Sequence, residues 1–181
     1  PGDDAVAGQI RTLRDLVPWD GPAQRGDKVL IGLIIGILAV LLVSLPLRPL
    51  LLASHPILLE FATGSLSAIG AGAAFARIGE APLWLVVVAG VVGMIKFDWL
   101  FWLAGRRWGA KFVRLFAQGV AAQRFVVKVR SLPPWVTALA VVGAALPGIP
   151  AVAVFALAGL NRMRFATFLL FDALGAALMV G

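Results

Sequence analysis

Three carboxylates interrupt long apolar stretches of this chain: Glu60, Asp98 and Asp172. A charge at the centre of a hydrocarbon layer costs about 2.5–3.5 kcal/mol on insertion scales, so each acid needs a proton, a partner or water. The chemistry open to them is proton exchange or contact with a polar headgroup. The alternative for each is a structural pair that fixes the fold. Glu60 lies four residues before Gly64 and near His55, which is read as a turn residue rather than a proton relay. Asp98 lies two residues after Lys96, the wrong spacing for one helical face. It lies eight before Arg106, roughly two turns, which places those two on similar faces. Lys96 is expected to snorkel to an interface. Asp172 follows Arg164 by eight residues, about 12 Å along a helix. Arg106 and Arg107 close an apolar segment, and their forked guanidinium groups suit phosphate oxygens. Membrane-surface anchoring is the other reading of that pair.

Covalent chemistry finds no footing. There is no Cys and a single His, which excludes thiolate zinc, iron–sulfur and multi-histidine sites. No nucleophile–base pair and no acid cluster at metal-ligand spacing is present. The chain is therefore expected to be no enzyme and to use neither cofactor nor metal.

The elements that must position these residues are membrane elements. Of 181 residues, 61% are apolar and 14% charged, against about 45–50% and about 25% in soluble domains. So small a water-soluble domain has no room to bury that excess. The net charge is +7. Its cations flank apolar runs, so the expected partner is an anionic lipid surface and not nucleic acid.

Residues 1–28 read as an amphipathic interfacial segment, with Ile10, Leu13, Leu16 and Val17 at helical spacing and Trp19 in a Pro/Gly turn. The single membrane domain is then 29–181. Residues 29–47 run 19 positions without a charge between Lys28 and Arg48, which predicts a transmembrane helix over 29–48. Residues 49–77 are apolar but broken by Pro56, Glu60 and Gly64, so neither piece crosses alone. They predict a re-entrant hairpin, with its tip at Gly64-Ser65. Residues 82–105 predict a transmembrane helix.

Residues 106–130 carry seven cations and no acid. With Trp108, Phe112, Leu115 and Phe116 on one face, they predict a basic amphipathic linker in the cytoplasm. Residues 131–161 are uncharged, and Pro147-Gly148-Ile149-Pro150 breaks them into a second hairpin. Residues 165–181 begin a last transmembrane helix.

With the linker inside, the hairpins enter from opposite faces. The expected fold is an all-α integral membrane protein. An N-terminal transmembrane helix precedes an inverted repeat, 49–105 against 131–181, of two re-entrant helical hairpins each followed by a transmembrane helix. Glycine and alanine runs at Gly70-Ala71-Gly72-Ala73-Ala74 and Gly143-Ala144-Ala145 allow close helix approach. Free backbone groups at the tips, Gly64, Ser65, Pro147, Gly148 and Pro150, offer half-helix ends to an anionic headgroup.

Three stretches resemble the DedA family, also known as SNARE-associated or VTT-domain membrane proteins. Thr63-Gly64-Ser65 with Ala71-Gly72-Ala73 resembles its first hairpin. Phe97-Asp98 through Gly105-Arg106-Arg107-Trp108-Gly109 resembles its Gly-Asp…Gly-Arg-x-x-Gly segment. Gly143-Ala144-Ala145-Leu146-Pro147-Gly148-Ile149-Pro150, followed by Ala158-Gly159 and Phe165, resembles its Pro-Gly hairpin. Together they span about residues 49–181.

The resemblance implies translocation of a phosphate-headgroup lipid, either polyprenyl phosphate or phospholipid, with proton linkage and a cell-envelope role. Asp98, Gly105, Arg106, Gly109, Pro147 and Gly148 match the family pattern. The family's hairpin acid falls on Ser65 and its two arginines on Ala144 and Pro150, so this chain departs from it at the ionic positions. Two functions therefore stand side by side: lipid translocation or scrambling, and a non-transporting structural or assembly subunit. Partners are membrane lipids, with a second copy or a membrane complex left open. The expected location is a bacterial plasma membrane, with the N-terminus and residues 106–130 cytoplasmic.

Overall fold

The computed structural model describes residues 17–116, 124, 127–128, 130–131 and 133–180. The amphipathic pattern at Ile10, Leu13 and Leu16 and most of the linker beyond Phe116 lie outside them. Among the described residues every regular element is helical. Two helical stretches, Arg25–Ser54 and Leu83–Trp108, are long and apolar enough to cross a membrane.

Helix α1, Arg25–Ser44, starts at a reciprocal cap: Asp27 accepts from the Gln24 backbone N–H at 2.9 Å, and the Gln24 side chain accepts from the backbone of Asp27. A 3₁₀ turn, Leu45–Leu47, carries it into α2, Arg48–Ser54. Pro46 and Pro49 sit in the first turns of those two pieces, where a missing N–H costs little. The resulting rod of 30 residues is about 45 Å long.

Helix α3, Pro56–Thr63, and α4, Leu66–Arg77, form the first helical pair. Between them Gly64 adopts φ 60°, the left-handed helix end that glycine favours. The stretch over 82–105, expected to cross, is long enough to do so and is built of two helices, α5, Leu83–Ile95, and α6, Asp98–Trp108. The joint is Lys96-Phe97. There the Lys96 side chain turns away to donate to the carbonyls of Phe61 and Ala62, at the end of α3. Helix α7 is Ala110–Phe116. The second pair is α8, Pro134–Gly143, and α9, Ala151–Leu160, followed by α10, Phe165–Val180.

The tightest seam joins α6 to α9. A Cβ on Gly105 would overlap the Ala156 carbonyl, and one on Gly159 the Trp102 carbonyl, so the two backbones touch. On one side of this seam Leu30, Ile34, Leu100, Trp108, Phe112 and Leu157 form a core. On the other, Trp102, Val141, Phe155 and Phe168 form a second. The face expected to lie on lipid in the basic linker is thus partly internal: Trp108 and Phe112 are buried in the first core. They pack there because the turn at Gly109 folds α7 back beside α9, where Val113 is also buried.

Contacts across the bundle order its ends. Asp27 meets Arg107 and Trp108, while Asn161 meets Thr137. Arg25, Arg106, Arg107, Lys111 and Arg162 therefore gather at one basic end. Gly64 packs against Gly93, in the interior of the Leu83–Trp108 stretch. Gly175 packs against Val142, and Gly90 against Val180. The first limb of each helical pair lies against the helix that follows the pair: α3 on α5, and α8 on α10.

Candidate functional site: an interior acid pair and the cleft beside it

The three acids sit inside the bundle rather than at its ends. Asp98 opens α6 and Asp172 lies midway along α10. Their carboxyl groups come close enough to interact. A carboxylate has only acceptor lone pairs, so the two can hydrogen-bond only when one of them carries a proton to donate. Asp172 is 4% exposed, and its Oδ2 has no hydrogen-bond partner among the described residues. Asp98 thus faces Asp172 and not Arg106, the partner that helical spacing suggested. Arg106 instead lies over the Trp102 ring at 5.3 Å.

Asp98 also lines a cavity of about 230 Å³, together with Thr63, Phe97, Ile34, Ile37 and Leu41. A second cavity, about 400 Å³, adjoins it through Ile37, Leu41 and Phe97 and reaches the outer face of α1 at Gly32 and Gly36. The cavity beside Asp98 is a cleft between the later half of α1 and the α5–α6 joint. It arises because α1 buries Asp27, Leu30 and Ile34 but no residue beyond them.

Glu60 is enclosed separately, at 0% exposure on α3. Its niche is cut by glycines: a Cβ at Gly72 would come within 2.6 Å of Oε2, and one at Gly90 within 2.6 Å of Oε1. Neither oxygen has a hydrogen-bond partner among the described residues. Glu60 does not pair with nearby His55, which is exposed at the start of α3.

The first tip is held in place. Thr63 Oγ1 donates to Ser65 Oγ at 3.0 Å, and Lys96 closes the end of α3 while lying 5.3 Å from the Phe61 ring and 5.1 Å from the Phe97 ring. Lys96, half-exposed beside the first tip, therefore has a structural role there. At the second tip Pro147, Gly148 and Pro150 are exposed, with Gly148 at φ 93°. They are not among the residues lining the cleft.

Arg107 is committed elsewhere as well. It donates to buried Asp27, which also accepts from Trp108 Nε1 at 2.8 Å; Lys111 donates to Asp20 at 3.0 Å. Asp27 gave no signal in the sequence as a site residue, since it sits in a stretch rich in both signs of charge. No group of three or more metal-ligating side chains occurs among the described residues. Comparison with family models, with curated proteins and with solved structures found no match to this chain.

Proposed function

We propose that this chain is an integral membrane protein of the DedA type that moves a phosphate-headgroup lipid between leaflets of a bacterial plasma membrane. One observation carries the reading: half-buried Asp98 and buried Asp172, one from each half of the proposed repeat, approach one another inside the bundle beside a cleft along α1. Ionic groups so deep in an apolar bundle are expensive unless they serve a path for ions, protons or substrate.

In this reading α3–α4 and α8–α9 are the two re-entrant hairpins, entering from opposite faces. The matched packing of α3 on α5 and of α8 on α10 supports that inverted repeat. The basic end is cytoplasmic by its charge. The headgroup crosses beside the acid pair while the acyl or prenyl chains stay in the cleft and the lipid outside α1. The pair holds or releases its proton as the headgroup passes, and Glu60 acts as a second proton-exchanging acid.

The test is transbilayer movement in proteoliposomes, using polyprenyl phosphate and an ordinary phospholipid, with and without a pH gradient. Wild-type protein is expected to move lipid above the level of empty vesicles, and Asp98→Asn and Glu60→Gln to move it more slowly. Normal rates in both variants would remove these acids from the path. The second reading, a non-transporting assembly subunit, is favoured by the uncharged residues at Ser65, Ala144 and Pro150. No movement of either lipid by well-folded protein selects it.

A further inference from the structure

The largest cavity described, about 720 Å³, lies apart from the acid pair, between α8 and α10 at the basic end. Its polar lining is Arg130, Arg164, Thr137, Asn161 and Thr167, with no acid. The Thr137 hydroxyl, on a residue 2% exposed, accepts from Asn161 Nδ2 at 3.2 Å, which orients both groups at the cavity wall. The rest of the wall is apolar, including Trp135, Leu139 and Phe171. Trp135 and Leu139 are 63% and 58% exposed, so the apolar wall runs out of the cavity onto the flank of the bundle.

We infer that this cavity is a docking site for the phosphate headgroup of an anionic glycerophospholipid. Two guanidinium groups, with no carboxylate among the described lining residues, supply charge complementarity, and their forked donors match phosphate oxygens. The volume falls in the range of small-ligand sites. The apolar wall selects a lipid over a free anion, because the acyl chains can leave along Trp135 and Leu139 into the bilayer. Arg106 and Arg107, the pair first suited to such a role by sequence, are occupied by Trp102 and Asp27. Arg130 and Arg164 lie far apart in sequence, and only the fold brings them to one cavity.

The site rests on the membrane reading above but does not require transport. The test is native mass spectrometry of the full chain in detergent with added phosphatidic acid, phosphatidylcholine or inorganic phosphate. Wild-type protein is expected to retain one phosphatidic acid and to prefer it at least about tenfold over phosphatidylcholine. Charge-assisted hydrogen bonds of this kind support a loss of about tenfold or more for Arg130→Gln and for Arg164→Gln. Arg77→Gln, on α4, is expected to bind as wild type. Unchanged binding in both cavity variants overturns the site. Equal retention of phosphatidylcholine overturns its charge selectivity. Displacement by inorganic phosphate at equal concentration assigns it to a small anion instead of a lipid. Lipid retention without transbilayer movement would discard the translocase and leave this site standing; movement without retention would do the reverse.

Discussion

At the scale of single residues, the niche around Glu60 sets a sharp expectation. Gly90→Ala places a methyl 2.6 Å from Glu60 Oε1 and 2.9 Å from Val180 Cγ2, so the neighbours must shift. Overpacking of this kind costs about 1–3 kcal/mol. The thermal midpoint in detergent should fall for Gly90→Ala and partly recover in Glu60→Ala/Gly90→Ala, where the carboxyl is gone. A double variant no better than the single would mean that Val180 alone opposes the methyl. The sequence singled out Glu60, Asp98 and Asp172 because a charge is conspicuous in an apolar run. It did not reveal their partners. The approach of Asp98 to Asp172 involves helices far apart in the chain, and helical spacing reports only neighbours on the same helix.

At the scale of elements, two seams decide whether the helices assemble. Gly105 and Gly159 bring the α6 and α9 backbones into contact, so Gly105→Val and Gly159→Val should each abolish the folded, monodisperse peak in size-exclusion chromatography. Gly32→Val on α1 has open space around its Cα and serves as the control, expected to retain that peak. The second seam is the α5–α6 joint. Lys96→Met removes the donor that Phe61 and Ala62 share, leaving carbonyls at the end of α3 without it. Hydrogen exchange of α3 should quicken in that variant more than exchange of α9; equal change in both would deny Lys96 a local role. Long apolar runs and proline breaks made the first long helix and both helical pairs legible in advance. The joint at Lys96-Phe97 was not legible, because no proline or glycine marks it and its cause is a contact with another helix. The inward turn of Trp108 and Phe112 was hidden likewise: an amphipathic face reads the same whether it meets lipid or protein.

At the scale of the whole molecule, the natural absence of Cys permits a direct test of how the bundle lies in a membrane. Asp20→Cys and Arg162→Cys sit at the basic end, whereas Glu80→Cys precedes α5 at the other. An impermeant maleimide applied to sealed, right-side-out vesicles should label Glu80→Cys alone; labelling of all three, or of Arg162→Cys alone, would reject the proposed orientation. The attachment of α1 also has a mechanical meaning. Asp27, held by Arg107, Trp108 and the Gln24 backbone, fastens one end of a rod about 45 Å long, and no residue of α1 past Ile34 is buried. The far end is held too, where α2 packs on α3 and α4, so the rod is a beam supported at both ends with a loosely held middle. Its deflection grows steeply with unsupported length, so the stiffness of the clamp, far from the cleft, helps set how wide the cleft stands. Loosening the clamp with Asp27→Ala should therefore be felt beside Asp98, a distance no single side chain spans, as an altered spacing between spin labels at Leu41 and Phe97.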